Sequence, residues 1–403
     1  MDYIVGGGFA EEDLPQDRLA EGYAILRAAI EEFAELGFEI ATLIDERLMQ
    51  HIRISPIHEF KSVATHDDFI SGIRSFSEKV DYALTLAPES LGILKDLSSI
   101  MTNSKATYLG SKPESIEKAA DKLKAMDLAR ELGLNVPATF SPSFATPFDE
   151  ILDEVNILRF PLIVKPIDGI GGQGLTKVNN EDDLRFGLQA AHAVTAMDEC
   201  IVQEYIPGTP ISTSLLANGK KVVPLSINQQ NLRMESLKSA GRYLGGEVPF
   251  DIPKYHDEVI EASVKLVEQM NLIGFVGVDL IVGEEGVFII EVNPRVTVPF
   301  IAIKDLASNN IAQMLIDMVD EGKINGDFKL NGYASFSKIT VPSAVSKKAK
   351  FEKASIIDGV LSPPFPIGNN SNSYSLIMGI GDTITNARKD YQRTKKEVFK
   401  NLS

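Results

Sequence analysis

Val287-Phe288-Ile289-Ile290-Glu291-Val292-Asn293-Pro294-Arg295 reads as an apolar strand with two polar side chains in its second half. Side chains alternate faces along a strand, so Glu291 and Asn293 point the same way. Just upstream, Phe275-Val276-Gly277-Val278-Asp279-Leu280-Ile281-Val282 is a second strand with one acid in its middle. The turn at residues 283–286 predicts a hairpin, which brings Asp279 near Glu291 on one face. Two carboxylates and an amide oxygen in an apolar sheet repel one another and stay poorly solvated unless a cation sits among them. An all-oxygen set suits Mg²⁺ or Mn²⁺ shared with nucleotide phosphates.

Working outward, Phe160-Pro161-Leu162-Ile163-Val164-Lys165-Pro166 is an apolar strand that carries one lysine near its end. Burying that charge is costly unless an anion meets it. Asp168-Gly169-Ile170-Gly171-Gly172-Gln173-Gly174 follows at once, and its glycines leave backbone N–H groups free to close around a phosphate. A glycine-rich turn alone is a weak signal; one placed directly after a buried lysine is much stronger. Ile201-Val202-Gln203-Glu204-Tyr205-Ile206-Pro207-Gly208 is a strand that breaks at Pro-Gly. Such a hinge can offer backbone groups to an adenine edge.

The rest of the chain frames these motifs. It has 403 residues, 44% of them apolar, and a net charge of −16. That length allows two or three domains, and the composition excludes general disorder. So acidic a surface repels phosphate backbones and anionic lipid, which argues against nucleic-acid and membrane partners. The lone Cys200 fits a reducing cytoplasm, the five histidines show no metal spacing, and no apolar stretch approaches the ~20 residues of a membrane span. The N-terminus lacks a signal pattern, so a cytoplasmic location is expected.

Residues 1–110 read as a small α/β domain, with strands at 3–5, 38–43 and 82–86 and a helix over 19–36. The triple glycine at residues 6–8 lacks the spacing of a dinucleotide-binding turn. Ser111-Lys112-Pro113-Glu114-Ser115 starts a helix expected to run over 116–132 and to stop at Gly133. Strands are predicted at 334–341 and 373–380 and a helix at 387–399, beyond a boundary at Asn331-Gly332. The segment 226–249 reads as a loop. Its Arg233, Lys238 and Arg242 are candidates for holding a carboxylate substrate.

In their order and spacing these motifs resemble the ATP-grasp superfamily over residues 111–320. The resemblance implies an ATP-grasp fold of the α/β (α+β) class. It would comprise a Rossmann-like pre-grasp domain (1–110), a grasp domain (111–325, with its lid at about 155–210) and a small β-rich C-terminal domain (326–403). It further implies that Lys122 and Lys165 contact ATP phosphates under a loop carrying Gly169, Gly171, Gly172 and Gly174. Gln203, Glu204, Tyr205 and Ile206 would line the adenine pocket. Asp279, Glu291 and Asn293 would hold Mg²⁺ or Mn²⁺, and Arg295 and Lys165 would act on the transferred phosphoryl group. Thr209-Pro210-Ile211-Ser212 stands where many members carry a ribose-binding acid, so no ribose ligand is assigned. The N-terminal signals Leu19-Ala20-Glu21-Gly22, Ile44-Asp45-Glu46-Arg47 and Ala87-Pro88-Glu89 resemble the archaeal-type tyramine–glutamate ligase group of methanofuran synthesis. The segments Ser226-Ile227-Asn228-Gln229-Gln230 and Tyr243-Leu244-Gly245-Gly246-Glu247-Val248-Pro249 point to the same group. The implied partners are a small-molecule acid and amine, with a homodimer left open. Another amino-acid ligase, a carboxylase-type enzyme and a non-catalytic ATP-binding regulator are the alternatives.

Overall fold

The computed structural model describes residues 1–402 except 170, 235, 237–240, 324–326, 343–347 and 368–371, with no side chain described at 342 and 348–350. The N-terminal part holds α1 (Gln16–Glu35), β1 (Ala41–Asp45), β2 (Glu59–Val63), α2 (His66–Ser77), β3 (Tyr82–Ala83), α3 (Ile93–Thr102) and β4 (Thr107–Tyr108). Strands β1–β2 and β3–β4 pair in parallel, as expected of an α/β domain. The strand expected at residues 3–5 does not form. Asp2 folds its carboxylate onto the N–H groups of Ile4 and Val5, and the chain turns there instead. This is the side-chain-to-backbone competition that acidic residues bring to short strands.

The helix expected over 116–132 is two helices, α4 (Pro113–Ala120) and α5 (Lys122–Glu131). The break falls at Asp121, whose ψ of 99° is extended and whose carboxylate accepts from the N–H groups of Leu123 and Lys124. An N-cap inside an apolar helical pattern is invisible to periodicity, yet it puts Lys122 at the first position of a new helix.

Next come β5 (Thr139–Phe140), α6 (Phe148–Leu158), β6 (Leu162–Pro166), β7 (Thr176–Val178), α7 (Glu181–His192) and β8 (Cys200–Glu204). They form a four-stranded sheet ordered β5-β8-β6-β7 with the helices packed on one face. This small sheet already begins at Thr139, ahead of the lid start expected at 155. Cys200 is buried in its core.

The remaining elements are β9 (Gly208–Asn218), β10 (Val222–Arg233), β11 (Arg242–Val248), α8 (His256–Gln269), β12 (Ile273–Gly283), β13 (Gly286–Asn293), α9 (Phe300–Leu306), α10 (Ile311–Asp320), β14 (Tyr333–Pro342), α11 (Lys348–Ser355), β15 (Val360–Ser362), β16 (Asn372–Gly381) and α12 (Ile384–Leu402). Their strands make one eight-stranded sheet ordered β13-β12-β9-β10-β11-β14-β16-β15. The C-terminal strands are therefore not a detached β unit. β14 pairs with β11 and carries the large sheet onward. The segment 226–249 is also mostly strand, and only its tip lies between β10 and β11.

One face of the large sheet packs α8 through Ile211, Leu215, Ile227 and Val276. The other packs α1, α9 and α10, with Tyr23 edge-on to Phe365 at 5.1 Å. Among the described residues no helix is long and apolar enough to cross a membrane.

Candidate active site

The hairpin β12–β13 forms, with a β-bulge at Ile290 that shifts its register by one residue. Asp279 pairs directly with Glu291, and Asn293 lies opposite Gly277. The two half-buried carboxylates face each other across the hairpin. Burial and the neighbouring Glu291 push the Asp279 pKa well above its ordinary value. Burial also works to raise Glu291, but Lys122, Lys165 and Arg295 outweigh it and hold Glu291 below the usual range. Without a cation, the pair keeps its proton on Asp279 and its charge on Glu291.

Lys165 sits near the end of β6, an inner strand of the small sheet, and is only 7% exposed. Burial lowers its pKa to about 8, Glu291 and Asp279 oppose that shift, and Lys122 adds to it. Lys122 reaches the same place from α5, with Nζ 3.5 Å from Glu291 Oε2 and within 3.4 Å of the carbonyls of Ile167 and Gly169. Two lysines, one from a helix and one from a strand, thus converge on one carboxylate.

Arg295 completes the group from the chain just past β13. Its guanidinium lies 2.9 Å from Glu89 in the N-terminal domain and 3.4 Å from Asn293 Oδ1. The Glu89 carboxylate outweighs the cost of burial and raises the Arg295 pKa. A cavity of about 370 Å³ opens here, lined among others by Glu89, Leu91, Lys122, Gly169, Glu291 and Arg295.

The glycine loop lies over this region. Gly171 (φ 63°) and Gly172 (φ 80°) are left-handed, and a Cβ on Gly172 would meet the backbone of Arg242 at 3.2 Å. Such a turn favours residues without a side chain. The Gly171 carbonyl accepts from Tyr243 N at 2.8 Å, and Gln173 accepts from Arg18 of α1 at 3.0 Å. The loop therefore rests on both the large sheet and the N-terminal domain.

The hinge residues divide. Tyr205 lies beneath Lys177, with Nζ 3.6 Å from the ring centroid, and Ile206 is buried. Glu204 is exposed and accepts from Ala138 N. The Gln203 side chain is committed elsewhere, donating to Thr139 Oγ1 at 2.9 Å and touching Met126 Sδ. It ties α5 to β5 and β8, which takes its side chain away from a ligand. Of the substrate candidates, Arg233 is exposed at the end of β10 and Arg242 stands across from it on β11. Lys238 lies outside the described residues.

Two contributors escaped the sequence reading. Gln230 on β10 donates to Asp279 Oδ1 at 2.9 Å. It continues a buried polar stripe of Ser212, Ser226 and Asn228 across the sheet. Alternation along residues 226–230 was the available signal. Glu89 had only its place in Ala87-Pro88-Glu89, with nothing local to link it to Arg295.

Among the described residues no cluster of three His, Cys, Asp or Glu side chains forms. Two carboxylates and the Asn293 amide therefore leave positions for phosphate oxygens and water, the arrangement that Mg²⁺ or a similar hard cation takes beside a nucleotide. The donor set fits such an ion.

An acidic metal-type pair, two converging lysines and a glycine loop resting on the large sheet are the kinds of group that nucleotide-dependent phosphoryl transfer uses. The sequence matches the ATP-grasp domain over residues 119–299 and the pre ATP-grasp 3 domain over residues 38–116. The chain carries an ATP-grasp domain preceded by a pre-ATP-grasp domain. Among its relatives it is 28% identical to the tyramine–L-glutamate ligase of Methanocaldococcus jannaschii, over 82% of this chain and 91% of that one. It is equally similar, at 28%, to the tyramine–L-glutamate ligase of Methanocaldococcus fervens, over 82% of this chain and 96% of that one. The structure resembles the biotin carboxylase–β-γ-ATP complex from Campylobacter jejuni with a TM-score of 0.72 at 16% identity, covering 92% and 88% of the two chains. That likeness concerns the fold.

Proposed function

We propose that this chain joins L-glutamate to tyramine at the expense of ATP, giving γ-glutamyltyramine, a step of methanofuran synthesis in the cytoplasm. The observation that carries the chemistry is the facing pair Asp279–Glu291 with Asn293 beside it and Lys122, Lys165 and Arg295 around it. The choice of substrates is supported by the likeness to the two tyramine–L-glutamate ligases.

In this reading Lys122 and Lys165 bind the terminal phosphates of ATP, and the loop at 169–174 covers them with backbone N–H groups. Tyr205, Ile206 and the backbone of residues 203–206 face the adenine. Asp279, Glu291 and Asn293 would hold Mg²⁺ or Mn²⁺, which neutralises charge on the phosphates when bound. The γ-carboxylate of glutamate attacks the γ-phosphorus, the bond to the leaving ADP oxygen breaks, and an acyl phosphate forms. The neutral amine then attacks the acyl carbon, expels inorganic phosphate and gives up a proton. Arg295 stabilises the charge that moves between the oxygens, and the covered loop keeps water from the acyl phosphate.

The test is ADP release by the full chain with ATP, Mg²⁺, L-glutamate and tyramine, with mass spectrometry of the product. ADP release stoichiometric with γ-glutamyltyramine is expected. A rate no higher than with ATP alone overturns the substrate assignment.

A further inference from the structure

Beside the site just described lies a second group of buried charges that the phosphoryl chemistry does not use. Lys338, in the middle of β14, is only 5% exposed at its side chain, and its Nζ lies 2.6 Å from Glu21 Oε1 and 3.4 Å from the carbonyl of Asp17 on α1. Tyr374 of β16 presents its ring to both Lys338 (6.0 Å) and Arg242 (5.7 Å). Tyr243 comes next on β11. Its hydroxyl is buried with no hydrogen-bond partner, and burial, Glu21 and Asp279 together suppress its ionisation. That phenol feels the charge of both Glu21 and Asp279, while its backbone N–H holds the glycine loop at Gly171.

Packing does not call for this arrangement. Helix α1 already docks through Leu19, Tyr23 and Leu26 against a core that includes Phe336 and Met378. A buried ion pair usually stabilises no better than apolar residues of similar volume. An orphaned hydroxyl costs more still, since a buried donor without a partner loses its hydration for nothing. Together the groups offer one anion, two cations and an unused hydroxyl, arranged next to the metal-type carboxylates. An amino-acid head group needs the same set, with an acceptor for its ammonium and donors for its carboxylate.

We propose that Glu21, Lys338, Arg242 and the Tyr243 hydroxyl form the subsite that holds the α-ammonium and α-carboxylate of the amino-acid donor, leaving its side-chain carboxylate at Asp279 and Glu291. Glu21 accepts from the ammonium, Arg242 and Lys338 pair with the α-carboxylate, and Tyr243 fills its empty hydrogen bond on the same carboxylate. The Glu21–Lys338 pair opens to receive the zwitterion, so neither charge is left unpaired. This rests on the amino-acid ligase reading above and adds which residues read the donor.

The experiment compares donors with and without the α-ammonium. ADP release by the full chain is measured with L-glutamate against glutarate and L-aspartate against succinate, for wild type, Glu21→Gln and the double variant Glu21→Gln/Lys338→Met. The double variant removes both charges, which protects the fold from a stranded lysine. Wild type should prefer the amino acid within a pair. Glu21→Gln should raise the KM for the amino acid roughly 10- to 100-fold, as expected for losing a charged hydrogen bond, and far more than it raises the KM for the deaminated acid or for ATP. Preference for the amino acid that survives in folded Glu21→Gln, or in the double variant, overturns the subsite. Wild type that turns over only deaminated acids also overturns it while sparing the ligase assignment. Wild type that works with aspartate but not glutamate corrects the donor and leaves the subsite to be judged by its variants. An absence of ADP release with all four acids overturns both.

Discussion

Replacing Glu89 by Gln tests whether the N-terminal domain takes part in catalysis through Arg295. The Arg295 Nε atom lies 2.9 Å and 3.0 Å from the two carboxylate oxygens, with both side chains mostly buried. Gln keeps the shape and one acceptor but discards the charge. A charge-assisted hydrogen bond contributes about 1.5–3 kcal/mol against about 1 for a neutral one, so the fold should lose roughly 1–2 kcal/mol. Glu89→Ala would strand the guanidinium, with a ceiling of about 3–5 kcal/mol. The remaining Arg295 contacts, to Asn293 Oδ1 at 3.4 Å and the Val296 carbonyl at 3.3 Å, are long and will not fix the side chain alone. A displacement of about 1 Å in a positioned group costs on the order of 10²-fold in rate, or about 2.7 kcal/mol of barrier. The expected result is a kcat reduced about 100-fold with an ATP KM within about threefold of wild type, because Lys122 and Lys165 stay in place. Glu89→Asp should recover part of the loss. The assay is steady-state ADP release at saturating donor and amine, with a thermal melt to establish folding. A folded Glu89→Gln protein with kcat within about threefold of wild type would refute the positioning argument.

Further outcomes follow from the same geometry. Glu291→Gln should reduce ADP release by at least about 10³-fold, since it removes the charged member of the Asp279–Glu291 pair; near-normal turnover by the folded variant would exclude it as a metal ligand. Lys165→Met should weaken ATP binding yet melt no lower than wild type at pH 7 without nucleotide or metal. Its folded pKa of about 8 is below the ordinary 10.5, so the buried charge costs roughly 3 kcal/mol below pH 8, and wild-type stability recovers as pH rises toward 10.5. A nucleotide-free variant that melts well below wild type at pH 7 contradicts this account. Arg18→Ala removes the donor to Gln173 and should speed amide exchange over the loop after Lys165 and raise the ATP KM several-fold, about the effect of one hydrogen bond. Unchanged exchange there would mean the contact does not hold the loop.

Much of the catalytic face was legible because its determinants are local. Strand alternation puts Glu291 and Asn293 on one side and the short turn predicts the hairpin, but Asp279 meets Glu291 only because a β-bulge at Ile290 shifts the register by one residue. Lys165 beside its glycines is equally local, since a charge ending an apolar strand and a run of left-handed glycines are both written in consecutive residues. Local patterning erred where a single side chain overrode it. Asp121 capped a new helix inside a continuous apolar period, and Asp2 turned a short apolar run out of strand geometry. Tertiary packing alone decided the contacts between segments far apart in the chain. Glu89 reaches Arg295 across 206 positions and Glu21 reaches Lys338 across 317, while β14 adds to the large sheet beside β11. Each depends on how α1 and the N-terminal loops fold over one face of the large sheet and how the C-terminal strands extend it. Ion pairs of this kind have no periodicity or spacing of their own, because their partners meet only after the apolar surfaces around them are buried.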